Sequence, residues 1–246
     1  MRDVIQQVRP DTVMVELDER RASRLVRRDA RGAPPPDPQP YSLAAVFRRL
    51  VRLDFDAAGS NAVGTLLAEL YKKLDSLGFQ SGAEFVTAIR EADAIGATIL
   101  LGDQDAEVTL GRLRDALGEV VSSGALSRSI AQGNELYDHG DPALRDLANA
   151  AKLGSTDGEL TREGVLSSLA ILQQRDTVRT LTSTIRQELP PLYSALIAER
   201  DAYMGRALLS RTDMRSGVAV VGLAHVDGIE RNLVSAGWET VRKPGC

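Results

Sequence analysis

The sequence predicts an α/β fold: a mainly parallel sheet flanked by helices, with an α-helical insert. Three short apolar runs carry that expectation: Thr12 to Leu17, Thr98 to Leu101 and Val218 to Val221. Each is rich in residues suited to a buried strand. Each is followed by a polar or glycine-containing turn, and then by a stretch with helical periodicity. Strands separated by helices pair in parallel, because the crossover helix returns the chain to the edge from which the next strand starts.

Taken in order, Val4, Ile5 and Val8 are spaced as one helical face, and that helix must end before Pro10. TVMVEL, Thr12 to Leu17, reads as a strand buried on both faces, with the acid Glu16 near its C-terminal end. Arg20, Arg21, Arg24, Arg27, Arg28 and Arg31 follow as a solvated helix face. Five of the ten prolines lie between Pro34 and Pro40, so residues 32–40 form a connector and neither helix nor central strand. Leu43, Val46, Phe47, Leu50 and Val51 trace the next helical face, and another helix is expected from Asn61 to Leu77, ended by Gly78.

Ser81 with Glu84 three residues later makes a capping-box pattern, and Phe85, Ala88, Ile89 and Ala92 continue that helix until Gly96 closes it. The TILL strand, Thr98 to Leu101, leads through Gly102 and Asp103 into a helix with Leu110, Leu113 and Leu117 inward. Residues 122–188 read as a mostly helical insert. Ser155 to Thr161 within it imitate part of a calcium-binding loop, but Leu153 and Gly164 stand where its first and last ligands belong. Pro190 and Pro191 open a long helix with Leu192, Leu196, Glu199 and Tyr203 on one face. After the VAVV strand comes Gly222-Leu223-Ala224-His225, then a helix; Trp238 to Val241 is expected as a last strand, with Tyr203 and Trp238 in the core. The whole of residues 1–246 is expected as one domain.

Composition narrows the function. Thirty basic and 34 acidic side chains give a net charge of −4, with no overall electrostatic reason to bind nucleic acid or an anionic membrane. The lone cysteine, Cys246, excludes an internal disulfide and a multi-cysteine zinc site, and points to the cytoplasm or another reducing compartment. No run approaches the ~18 to 20 apolar residues of a membrane helix, so no membrane span is expected in this chain; membrane association of a full-length protein stays open.

Ligands of open parallel sheets bind beyond the carboxyl ends of the strands. All three strands deliver polar residues there: Glu16, then Asp103 and Asp105, then His225. Blander explanations stand beside the functional one. Glu16 can pair with Arg20 or Arg21, Glu84 can cap its helix, Asp103 can cap a turn, and Glu199 can be a core acid satisfied by an arginine. His139 belongs to a polar loop. No G-x-S-x-G, phosphate-binding loop, G-x-G-x-x-G or H-E-x-x-H pattern occurs, which removes the serine hydrolase, NTPase, dehydrogenase and zincin readings. One histidine among carboxylates suits a divalent ion such as Mn²⁺ or Mg²⁺ that activates a water.

Five segments in order resemble the TraB family, which includes the PrgY-like pheromone-shutdown proteins: RPDTVMVELDERR (Arg9 to Arg21), LGFQSGAEFVTAIREA (Leu77 to Ala92), LGDQDAEVTLGRL (Leu101 to Leu113), AERDAYMGRAL (Ala198 to Leu208) and VAVVGLAHVDGIERNL (Val218 to Leu233). The wider superfamily contains the Tiki proteases, ChaN-like proteins and erythromycin-esterase-like proteins. The resemblance implies a metal-dependent peptide-hydrolase site built from G-x-x-H motifs and acids, with a divalent metal (Mn, Co or Zn). Carried over by motif, it implies His225, Glu16 and Asp103 as metal ligands. Glu16, Glu199, Arg21 and Arg200 become catalytic residues, Glu16 taking a proton from water and Arg21 or Arg200 facing the oxyanion. Glu84, Arg112 and Gly222 are the remaining polar or motif positions. Family members also carry a G-T-x-H motif upstream of the first helix. It is absent from these residues, so the implied metal site is incomplete; the alternative is a non-catalytic protein that binds a peptide or protein partner. Gln104 stands where the family has an arginine after L-G-D.

Overall fold

The computed structural model describes residues 1–30, 82–124, 155–156, 159–160 and 170–240. The chain divides into two compact units, one made of Met1–Ala33, Gly82–Ala106 and Leu196–Cys246, the other of Pro34–Ser81 and Glu107–Ala195.

The first unit is the expected α/β core. Helix α1 (Arg2–Val8) ends at Arg9, whose left-handed backbone (φ 48°) lets its N–H bond back to Ile5. Strand β1 (Thr12–Val15) follows, then α2 (Glu19–Ala30), α3 (Ala83–Ile95), β2 (Thr98–Leu101) and the start of α4 (Ala106–Ser122). Gly96 stops α3 at φ 71°, where its N–H reaches the carbonyls of Ala92 and Asp93. The strands pair in parallel in the order β2, β1 and then the strand Gly217–Val220, with Thr12 opposite Thr98 and Gly217, and Val15 opposite Leu101 and Val220.

β1 is central and wholly buried, and its alternation divides the core between two faces. Val13, Val15 and Leu17 join Ile5, Ala22, Ala88 and Ala92 on the side of α1, α2 and α3. Met14 instead joins Met204, Leu208 and Ile229. Helices therefore cover both faces, and Glu16, two residues beyond Met14, continues Met14's side of the strand past its end.

In the second unit α4 buries Leu113, Ala116 and Val120. Within the stretch expected as a mostly helical insert lies a short antiparallel pair, β3 (Ser155–Thr156) and β4 (Glu159–Leu160). In the sequence Asp-Gly stands between the two strands, a strong signal for a two-residue hairpin. Helix α5 (Arg175–Glu188) follows.

The long helix expected from Pro190 is three consecutive pieces: α6 (Pro190–Tyr193), a π-helical turn (Ser194–Ala198) and α7 (Glu199–Leu209). The wider π turn breaks the 3.6-residue phase. The inward residues of α7 are Asp201, Met204, Gly205 and Leu208, not Glu199 and Tyr203. Tyr203 is 41% exposed, which corrects its expected core position.

After β5 (Gly217–Val220), α8 (Leu223–Ser235) packs on α7. Trp238 to Thr240 form no strand and Trp238 is 47% exposed, because the helix ends in a tight turn at Gly237 (φ 95°) with Trp238 N–H bonded to Leu233. Val241 lies outside the described residues, as do the connector at 32–40, the two helices expected between residues 43 and 77, Ser81, His139 and Cys246. Gly82, not Ser81, stands at the N-cap of α3, so the expected capping box is replaced by a glycine at φ 91°. Among the described residues no helix is long and apolar enough to cross a membrane.

Candidate functional site

The three strand ends meet in one polar network, and all of its members belong to the first unit. Main-chain bonds set its floor: Glu16 N–H reaches Val220 O, Gly102 N–H reaches Val15 O, and Asp103 N–H reaches Leu17 O. Gly102 lies close under Met14: a Cβ would lie 2.5 Å from the Met14 sulfur, and the thioether would have to shift.

Asp18 follows β1 as the N-terminal cap of α2. Its Oδ1 accepts the Arg21 N–H at 2.8 Å and its Oδ2 accepts Arg21 Nε at 2.6 Å. Arg21 also donates through Nη2 to Asp103. Arg200, from the first turn of α7, enters from the other face. Its Nε donates to Asp103 Oδ1 at 3.1 Å and its Nη2 to Asp103 Oδ2 at 2.5 Å, and Nη2 is also bonded to Glu16. The second oxygen of Glu16 accepts the Gly222 N–H at 2.6 Å.

His225 sits in the first turn of α8 with its side chain 6% exposed. Nδ1 lies 2.7 Å from Asp201 Oδ1, while Nε2 lies 3.3 Å from Glu16 Oε1 and 3.0 Å from Arg200 Nη1. A protonated ring donates from both nitrogens, to Asp201 and to Glu16. A neutral ring that keeps its proton on Nδ1 instead accepts from Arg200 at Nε2.

Burial alone would raise the Glu16 pKa. The hydrogen bond and charge of His225, the charge of Arg200 and the Gly222 N–H overcome it and bring the carboxyl down to about 2. Burial would likewise lower His225, but the hydrogen bonds to Asp201 and Glu16 and the Glu16 charge lift it to about 9 against the opposing charge of Arg200. Burial also disfavours the charged forms of Arg200 and Arg21, and their carboxylate partners still hold both above the ordinary arginine value. Asp18 is lowered, its burial outweighed by the bonds and charge of Arg21 and by the Ala106 N–H.

The network joins Glu16, Arg21, Asp103, Arg200, Gly222 and His225, six positions singled out in the sequence. It corrects one expected pairing: the partners of Glu16 are Arg200 and His225, while Arg21 serves Asp18 and Asp103. Asp103 accepts the N–H of Gln104 as well as two guanidiniums, so the arginine absent at position 104 is made up by Arg21 and Arg200. Glu84, a motif position implied by the resemblance, is exposed in the first turn of α3 and stands outside the network. Glu199 is half-buried at the start of α7, next in sequence to Arg200 and Asp201. Asp105 is half-exposed, with Arg20 at 4.0 Å. Arg112 is exposed on α4 within the second unit.

Sequence reasoning missed Asp18 and Asp201. Asp18 was legible as an acid immediately preceding a helix, and Asp201 as the polar member of an i, i+3, i+4, i+7 series with Met204, Gly205 and Leu208.

As arranged, the donors do not fit the implied metal. Glu16 and Asp103 share the Nη2 of Arg200, and Nη1 of the same guanidinium faces Nε2 of His225. A cation already stands among the three residues expected as ligands. Among the described residues no three acidic, histidine or cysteine side chains are grouped to hold one ion.

No family model matches the chain. The chain is similar to an uncharacterized protein of Methanocaldococcus jannaschii, 25% identical over 232 residues, which cover 94% of this chain and 48% of that protein. The chain thus spans about half the length of the relative it matches.

Proposed function

We propose that this chain is a TraB-like protein whose strand-end network is a binding site for a peptide or protein partner, of the regulatory, pheromone-shutdown-like kind, working in a reducing compartment. One observation carries the proposal: the Arg200 guanidinium occupies the centre of the acid set, so acids that would otherwise hold a metal neutralise an internal cation. Arg21 is the open rim of the network, one third exposed beside nearly buried acids. A partner carboxylate, such as a peptide terminus, is the complement of that guanidinium.

A second reading, a metal-dependent peptide hydrolase, is favoured by charge. Glu16, Asp18, Asp103 and Asp201 outnumber Arg21, Arg200 and a protonated His225 by one. A divalent ion would need Arg200 to leave its present position.

The test is an affinity screen against an immobilised peptide library in EDTA, run beside metal analysis and a cleavage assay on the same preparation. Metal-free protein that retains peptides, loses them in Arg21→Ala and cleaves none supports the binding reading. Stoichiometric metal with peptide cleavage abolished in His225→Ala replaces it with the hydrolase.

A further inference from the structure

Asp201 belongs to no site the sequence suggested, yet its side chain is only 4% exposed and its carboxylate meets one imidazole nitrogen at 2.7 Å. We propose that Asp201 is the positioning residue of His225: it fixes the proton on Nδ1 and turns Nε2 toward Glu16 and Arg200, with Gly228 supplying the space the carboxylate occupies. The proposal rests on reading the strand-end network as the functional site.

A carboxylate is an acceptor only, so a short contact with Nδ1 demands an N–H there. Once Nδ1 is committed, Nε2 is the only ring position whose proton can come and go. It points at the two groups that compete for it, Glu16 Oε1 at 3.3 Å as an acceptor and Arg200 Nη1 at 3.0 Å as a donor. Without Asp201 the neutral ring could carry its proton on either nitrogen, and Nε2 would have no fixed role.

Gly228 is the independent observation. It lies three residues after His225 on the buried face of α8, where a glycine is less favourable than alanine. A Cβ there would run into the Asp201 carboxylate. The neighbouring close approach of the same two helices, at Gly205, is to Asn232 instead, with a Cβ 3.0 Å from the Asn232 Cβ. Helix packing alone therefore accounts for Gly205, and the acid accounts for Gly228.

The experiment uses the full chain labelled with ¹⁵N-histidine. There are two histidines, and a His139→Gln sample assigns His225. Imidazole nitrogen shifts, recorded at neutral pH and again above the His225 titration, are expected to give a protected, downfield Nδ1–H at both. Asp201→Asn and Gly228→Ala should each lose that signal or shift the neutral ring to the Nε2–H form. Gly205→Ala, which strains the same helix pair away from the acid, should keep it. A wild-type ring that is Nε2–H when neutral, or an Nδ1–H signal unchanged in both variants, overturns the positioning role. Peptide capture measured on the same samples tests the other reading separately: capture that persists after the signal is lost refutes the functional role of the network and leaves the Asp201 to His225 relation standing.

Discussion

Arg200 grips Asp103 side-on, Nε to one carboxylate oxygen at 3.1 Å and Nη2 to the other at 2.5 Å, while the same Nη2 reaches across to Glu16. The planar fork lets one side chain from α7 tie the end of β1 to the turn after β2. An ammonium group offers no such pair of parallel donors.

Removing Arg200 takes away the cation that Glu16 and Asp103 share and leaves Glu16 to His225 and Asp103 to Arg21. Arg200→Ala is expected to lower unfolding free energy by about 3 to 5 kcal/mol, the usual cost of breaking a buried pair from one side. Arg200→Lys should recover only part of it, as measured by urea denaturation. A loss under about 1 kcal/mol for the alanine variant would show the network to be solvated and the grip unimportant.

Stability should depend on pH on both flanks. His225 is raised from 6.5 to about 9 in the folded protein, so its contribution is fully present below pH 6.5 and is lost as pH rises through about 9. Glu16 is lowered from 4.5 to about 2, so its contribution is present above pH 4.5 and is lost as pH falls through about 2. Denaturation midpoints should therefore be highest between these windows and fall on the alkaline side from pH 6.5 to 9. His225→Gln should flatten that alkaline fall. An unchanged alkaline slope in the variant would assign it to other groups.

Asp18 caps α2 through the Arg21 N–H and orients the Arg21 guanidinium with its other oxygen. Asp18→Ala is expected to cost about 1 to 2 kcal/mol, the upper part of the range for a lost cap. It should also weaken peptide retention, because Arg21 loses the partner that aims it. Stability loss with peptide retention unchanged would limit Asp18 to capping.

Gly102 lies against Met14, which is fully buried in the central strand. Gly102→Ala forces a methyl into space held by the thioether, and about 1 to 3 kcal/mol of destabilisation is expected from the overpacking. Adding Met14→Val to the same chain should return part of that loss, measured as a double-mutant cycle; additive effects would show that the two positions do not share the space.

The strands and three of their terminal groups were legible because their signals are local. An apolar run ending in Glu16, an L-G-D turn and a G-x-x-H turn each announce a strand reaching the same edge. The pairing of charges was not legible, since it depends on which helix faces which side of β1. Arg20, Arg21 and Arg200 are equal candidates on paper, and geometry alone gives Glu16 to Arg200. Asp201 was hidden for a different reason. A periodicity started at Leu192 and carried through Leu196 arrives at Glu199 and Tyr203, but the π turn at Ser194–Ala198 shifts the phase and hands the inward face to Asp201. The pairing of Ser155–Thr156 with Glu159–Leu160 was hidden behind a resemblance to a metal loop, although Asp-Gly in the sequence is a strong turn signal.

The network closes bonds between residues 82, 184 and 206 positions apart in the chain. That separation has a consequence for biogenesis. While the chain is being synthesised, Glu16, Asp18 and Arg21 emerge early, Asp103 later, and the groups that satisfy Glu16 only with α7 and α8. Until then β1 has no partner strand on its β5 side, and Glu16 lacks Arg200, His225 and the Gly222 N–H. Release of the nascent chain before Gly217 leaves the β5 side of β1 open, whereas arrival of β5 and α8 covers that side and brings His225 and the Gly222 N–H to Glu16 together.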